Sequence, residues 1–231
     1  MRRNSAGGIE MDVIYSPIIF SDVDDIVRAF DQTWSHLDEL KGDRKLSQLR
    51  SYHFVLNFLL TATQGEVARK NGKFMGVILS RVAGQPRLFS SVPQQLAKID
   101  ERLNSTPLGH KALSSSQMTG RIEQAMERQI HIGEKAPAEV ELFLVAPQAR
   151  GHGVGGKLWE RAVESFERFE APMFYLHTDS GCDMAFYDHQ GMRRVSERLA
   201  KDHPGDGRSK QDRSDMYIYA GIPSKVLSAK K

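Results

Sequence analysis

The residues most able to do chemistry in this chain crowd around one short run, Arg150-Gly-His152-Gly153-Val154-Gly155-Gly156-Lys157. It follows a strand-like stretch, Glu139-Val-Glu141-Leu-Phe143-Leu144-Val145. Four glycines fall within six residues, at Gly151, Gly153, Gly155 and Gly156. An amphipathic helical pattern begins inside them, with Val154, Leu158, Trp159, Ala162, Val163 and Phe166 on one side. Glycines let a backbone come close to a ligand, and the first amides of a helix point outward with the positive end of its dipole. Arg150 adds a charge at the lip. The chemistry implied is the holding of a phosphate-bearing cofactor.

Two phosphate-binding patterns match this run incompletely. Gly151-x-Gly153-x-x-Gly156 has the spacing of a dinucleotide fingerprint, but Pro147-Gln-Ala-Arg150 separates it from its strand. Gly151-x-x-x-x-Gly156-Lys157 approaches a nucleoside-triphosphate P-loop, with Leu158 where a magnesium-binding hydroxyl is required. The third pattern fits best. Arg150-x-x-Gly153-x-Gly155, after Phe143-x-Val145-x-Pro147, resembles the acetyl-CoA motif of the GNAT acyl-CoA N-acyltransferases. Further on, Ser180-Gly-Cys-Asp183-Met-Ala185-Phe186-Tyr187-Asp-His-Gln-Gly191-Met192 is similar to that family's Asn-x-x-Ala-x-x-x-Tyr-x-x-x-Gly-Phe segment. Ser180 stands at the Asn position, Asp183 at that of Ala and Met192 at that of Phe; Tyr187 and Gly191 match.

The resemblance implies an acetyl-CoA-dependent N-acetyltransferase acting on a primary amine of a small molecule or peptide. Acetyl-CoA is then a co-substrate, and no metal is expected. Arg150, Gly151, His152, Gly153, Val154, Gly155 and Gly156 would hold the pyrophosphate. The backbone of Phe143, Leu144 and Val145 would pair with pantetheine, and Ser180 would add a side-chain contact. The amine must lose a proton, the carbonyl oxygen must be held, and the leaving thiolate must be reprotonated. Glu139 and Glu141 are candidate bases. They lie two apart and are expected to share a strand face with Phe143 and Val145. Glu139 stands eleven residues before Arg150, where histone-acetylating members of the family carry their base, and is slightly favoured. A backbone N–H near Val145 is the implied oxyanion donor. Tyr187, with an ordinary pKa of ~10, is the candidate acid. His177, Cys182 and His189 have no established ligand spacing and are assigned no metal. A non-catalytic acyl-CoA-binding module and a nucleotide-binding protein are the alternatives.

These residues need elements to place them. A strand near Asp12–Phe20 is limited to an edge by Pro17, and Ser21 is the expected N-cap of the helix after it. A second helix is expected from Leu46 to Leu60. Asn71-Gly72 signals a hairpin within Gly65–Ala83. Residues 85–137 read as a helical excursion, with helices near Val92–Leu103 and Gln117–Ile132, offering a surface to the acceptor side or to a homodimer. Then come a strand at Val140–Val145, a helix at Gly153–Arg168, a strand at Pro172–Thr178, a short helix at Cys182–Gln190 and a strand at Met216–Ala220. The fold class is α/β (α+β), and the resemblance implies a mixed, mostly antiparallel sheet flanked by helices with a helical insertion. Residues 1–10 read as a disordered leader, 11–222 as one domain and 223–231 as a flexible tail.

Composition supports this. The chain of 231 residues has 32 Lys and Arg against 29 Asp and Glu, a net +3, which argues against nucleic acid as a partner and against a polybasic membrane anchor. No apolar stretch approaches the ~20 residues that span a bilayer. A single cysteine, Cys182, excludes an internal disulfide and suits a cytoplasmic protein.

Overall fold

The computed structural model describes residues 12–34, 40, 42–206 and 213–229. The leader expected at 1–10 lies outside the described residues. Seven strands form one sheet. In chain order they are β1 (Ile14–Pro17), β2 (Gln64–Lys70), β3 (Lys73–Val82), β4 (Ala138–Val145), β5 (Phe174–Asp179), β6 (Arg193–Arg198) and β7 (Met216–Gly221). Their spatial order is β1-β2-β3-β4-β5-β7-β6, antiparallel everywhere except between β4 and β5. The eight helices described are α1 (Val23–Trp34), α2 (Arg44–Thr61), α3 (Val92–Asn104), α4 (Pro107–Ile130), α5 (Ile132–Lys135), α6 (Val154–Arg168), α7 (Met184–His189) and α8 (Pro223–Ser228).

Local chemistry accounts for most boundaries. Asn71 and Gly72 both take positive φ (53° and 74°), the twist that lets a two-residue turn join β2 to β3. Asp43 caps α2 by accepting from the Lys45 and Leu46 amides at 3.0 and 3.1 Å. At α1 the expected cap is corrected. Ser21 lies inside a short 3-10 turn, Phe20–Asp22, and the carboxylate of Asp22 accepts from the Ile19 amide at 2.9 Å. Buried Asp22 also pairs with Arg69 of β2, so the turn is tied to the sheet.

Three further corrections concern elements. Helix α4 begins at Pro107, well ahead of the expected Gln117, because Thr106 accepts from the Gly109 amide (3.0 Å) and Pro107 occupies the first helical position. Strand β6 was not expected; Arg-Arg-Val-Ser-Glu-Arg is polar because it is the outer strand, paired only with β7. Residues from 223 onward were expected to be flexible, but α8 forms there, with Pro223 in its first turn and Val226 buried against the core beside α6.

The helices divide between the two faces of the sheet. Helices α1 and α2 pack on β3, α1 also reaches β4, and α3 packs on α2. The helical excursion returns to the sheet on that same face. Ile122 and Met126 of α4 are buried with Tyr175, Met216, Ile218 and Ala220 of β5 and β7. Helix α6 covers β2, β3 and β4 from the opposite face, and Leu158, Trp159, Val163 and Phe166 are fully buried there. No described helix is long and apolar enough to cross a membrane.

Candidate active site

The parallel ladder between β4 and β5 has three rungs, Ala138↔Phe174, Glu139↔Tyr175 and Val140↔Leu176, and then stops. Both strands continue, β4 to Val145 and β5 to Asp179, so the sheet opens into a fork. Opposite the fork, β4 stays paired with β3 from Leu142 to Val145. The Ala146 amide donates to Met75 O at 2.9 Å, which makes the neighbouring Gly76↔Val145 rung one whose backbone groups point away from the ladder. By the same alternation Ile78↔Phe143 is another. Phe143 and Val145 therefore aim both N–H and C=O into the fork, where an extended ligand can pair with them.

A β-bulge lies at the crotch of this fork. Leu79 pairs with Leu142 and Ser80 with Val140, leaving Glu141 as the extra residue of β4. The bulge overturns the expectation that Glu139, Glu141, Phe143 and Val145 share one face. Glu139 lies across from Arg81, and both Glu139 and Glu141 reach that guanidinium on the α2 and α4 side. Phe143 and Val145 turn the other way, under α6, where a Cβ on Gly155 would come within 3.3 and 3.1 Å of them.

On the α6 face the site is made of backbone and aromatic rings. Gly151 and Gly153 hold positive φ (77° and 74°), a conformation that costs any side chain, and Gly153 caps α6. Gly155 is needed for a different reason: it lets α6 rest directly on β4. Gly156 meets nothing within 4 Å and is not required by packing. The amides of Val154 and Gly155 precede the first internal helix bond, Lys157 N–H to Gly153 O at 3.1 Å, and have no carbonyl to reach within α6. Arg150 and His152 are exposed at the lip, and His152 Nδ1 sits 2.9 Å from Arg150 O. Leu158, where a P-loop needs a hydroxyl, is fully buried core.

Tyr187 stands at the same opening, half-buried on α7. Its ring centroid is 5.7 Å from those of Trp159 and Tyr219. Burial, with Cys182 and Asp183 close by, pushes the phenol above its ordinary pKa, so it stays protonated through the neutral range. Ser180 has other work: its Oγ accepts from the Asp215 amide (3.1 Å), and its own amide donates to Asp215 O (2.9 Å), tying the turn before α7 to β7. His177, Cys182 and His189 do not form a cluster of ligand atoms among the described residues.

On the opposite face the site is made of side chains. Arg81 Nη2 donates to Glu139 Oε2 at 2.6 Å and to Tyr175 Oη at 3.1 Å, and its Nε donates to Glu141 Oε1 at 3.3 Å. Thr61, the last residue of α2, donates to the same Glu141 Oε1 at 2.7 Å. Tyr175 in turn donates to Glu127 of α4 (3.3 Å), whose Oε1 is 2.8 Å from His177 Nε2. Burial and the negative charge of Glu139 push Glu141 up to about 7, against the opposing pull of Thr61 and Arg81. Sequence reasoning did not find Thr61, Arg81, Tyr175 or Glu127. The one available signal was an arginine in the buried half of a hairpin strand, where a charge requires a partner.

The material a pantetheine-like ligand needs is therefore present at the fork: an unpaired strand edge, a glycine cradle and aromatic walls.

Comparison with known proteins agrees with this architecture. Residues 24–192 match the family model described as Acetyltransferase (GNAT) family. A search of curated proteins gives no match. Among solved structures, arylalkylamine N-acetyltransferase 2 from Aedes aegypti is similar over 92% of this chain and 100% of its own, with TM-score 0.61 and 16% identity. An agmatine N-acetyltransferase in its apo form gives TM-score 0.57 and 13% identity over 92% and 100% of the two chains. Drosophila melanogaster polyamine N-acetyltransferase gives 0.55 and 11% over 91% and 100%. At such identities the structures speak to the fold, and it is the match to the family model over most of the chain that places this protein in the GNAT acetyltransferase family.

Proposed function

We propose that the protein transfers an acetyl group from acetyl-CoA to a primary amine of a small molecule or peptide, by direct attack within the β4–β5 fork. The observation that carries this reading is the fork itself. There the backbone-lined α6 face and the carboxylate-lined α4 face meet, and the ladder stops at Val140↔Leu176 immediately before Glu141. Solved relatives of the fold act on agmatine, arylalkylamines and polyamines by their names, which supports an amine as acceptor.

Acetyl-CoA supplies an activated thioester. The amides of the loop from Gly151 to Gly156, with Arg150, hold its pyrophosphate, and the Phe143 and Val145 backbone takes the pantetheine arm. The Val145 N–H, directed into the fork, donates to the acyl oxygen as charge builds there. Glu141 is the base. Its Oε1 is held by Thr61 and Arg81, and Oε2 is left to take a proton from the amine. Glu139 was slightly favoured for this role by its position in the sequence; its close pairing with Arg81 makes it the weaker candidate. Tyr187 on the opposite side returns a proton to the thiolate. Base and acid thus approach the reacting carbon from opposite faces.

The sign of the pH dependence follows. Glu141 must be ionised to act, and its pKa is raised to about 7, so kcat/KM should climb from pH 6 to pH 8 and then level. Thiol release from acetyl-CoA with agmatine, polyamines and lysine peptides measures it. Glu141→Gln should lower kcat by about 10²- to 10⁴-fold while acetyl-CoA binding by calorimetry is kept. If no amine releases thiol and acetyl-CoA does not bind, the enzymatic reading is wrong. If acetyl-CoA binds but Glu141→Gln matches the parent, the protein is a binding module or uses another base.

A further inference from the structure

Arg81 is placed to do more than balance a charge. It faces Glu139 directly across the β3–β4 ladder, and its guanidinium bridges both carboxylates of the bulged strand. Both hydrogen bonds on Glu141, from Arg81 Nε and Thr61 Oγ1, fall on Oε1, so the carboxylate is oriented by one oxygen and offers the other. Glu139 is buried, 8% exposed, with Arg81 within 2.6 Å. Two carboxylates this close cannot both ionise readily unless a cation stands between them.

We propose that Arg81 is the positioning residue of the base: it fixes Glu141 through one oxygen and, by pairing with Glu139, limits how far the neighbouring carboxylate suppresses ionisation of Glu141. This rests on the reading of Glu141 as base. The device reaches beyond the strand pair. Arg81 also donates to Tyr175, Tyr175 to Glu127, and Glu127 meets His177, so the helical excursion braces the guanidinium from behind. The titratable groups facing the two carboxylates are Arg81 on β3, Tyr175 and His177 on β5, and Glu123 and Glu127 on α4. Arg81 is the member of this set that touches both carboxylates.

The experiment is the pH profile of kcat/KM for Arg81→Met, Arg81→Lys, Glu139→Gln and the double variant Arg81→Met/Glu139→Gln. In Arg81→Met the acid limb should move up by about one pH unit, roughly a tenfold loss at a pH below the limb. The double variant should bring the limb back toward its parent position, because the second charge is gone, a rescue that a purely structural arginine would not show. Arg81→Lys should keep the limb in place but lower the plateau, since a point charge cannot hold two carboxylates through separate nitrogens. Glu139→Gln alone should move the limb down, and it tests the idea even if Arg81→Met fails to fold. The proposal is overturned if Glu139→Gln leaves the limb unmoved, or if the Arg81→Met limb coincides with the parent's. Failure of the base assignment looks different: Glu141→Gln would then retain turnover whatever Arg81 does.

Discussion

The two faces of the β4–β5 fork are built by different means. On the α6 face the working groups are main-chain amides, and side chains matter mostly by being absent: Gly151 and Gly153 for their positive φ, Gly155 for the approach of α6 to β4. On the α4 face the working groups are side chains from α2, β3, α4, β4 and β5, joined in one run from Thr61 through Glu141, Arg81 and Tyr175 to Glu127 and His177. A backbone-made surface suits a ligand that is the same in every turnover. A side-chain-made surface can be revised one residue at a time, which suits the partner that differs between relatives. The two halves should accordingly fail in different ways.

The largest effect should come from adding atoms to the backbone-made half. In Gly155→Val the new Cβ would stand 3.1 Å from Val145 Cγ2 and 3.3 Å from Phe143 Cζ, and its methyls closer still. Helix α6 must then lift from the strand, costing about 1–3 kcal/mol of stability. The amides proposed to hold the pyrophosphate shift with it, so the KM for acetyl-CoA should rise more than about tenfold. Arg150→Ala, which removes one exposed charge at the lip, should cost only a few-fold. Calorimetric titration of acetyl-CoA on both variants checks the contrast. An Arg150→Ala loss exceeding that of Gly155→Val would mean that side chains, not the backbone, make this half.

Removing one hydroxyl from Tyr187 should have a middling effect, on rate alone. The ring packs against Trp159 and Tyr219, so Tyr187→Phe keeps the wall while deleting the proton. The expected outcome is about a tenfold lower kcat with acetyl-CoA affinity unchanged, by steady-state kinetics and titration. Because the phenol is held above its ordinary pKa, its loss should leave the acid limb near pH 7 unmoved. A shifted limb would assign Tyr187 to the base side of the fork.

The same contrast explains what could be read from the sequence. The α6 half is contiguous: strand, glycines, helix and the α7 tyrosine follow one another, and each carries its own local signature. The α4 half joins residues that sequence order keeps apart, such as Thr61 and Glu141, or Arg81 and Glu139, so no spacing exposes it. The helices of the excursion could be seen, but not that Glu127 turns toward the sheet. Period-two alternation placed Glu139 and Glu141 together correctly and Phe143 and Val145 with them wrongly. A bulge inserts one residue into the register while leaving the hydrophobic pattern unchanged, so alternation cannot detect it. Strand β6 escaped notice because an edge strand needs few apolar residues, and α8 because six residues ending in Ser are too short to show a period.

The smallest effect should come from Glu127→Gln, where the excursion meets β5. Burial is the largest influence and opposes the charge on both Glu127 and His177, but their mutual hydrogen bond and the surrounding opposite charges together outweigh it. Glu127 is held below its ordinary 4.5 and His177 above its ordinary 6.5. The Glu127 contribution is present above its unfolded pKa and fades as pH falls through the lower folded value. The His177 contribution is complete below 6.5 and fades as pH rises through the higher folded value. The pair therefore steadies the fold most between about pH 4.5 and 6.5. With side chains 15% and 29% exposed, its loss in Glu127→Gln should cost about 1 kcal/mol at pH 5.5 and clearly less at pH 9, by urea unfolding. Gln still accepts from Tyr175, so Arg81 and the acid limb of the rate profile should stay where they are. A limb that moves with Glu127 would mean that the excursion tunes the base directly, and the brace would then belong to the reacting side of the fork.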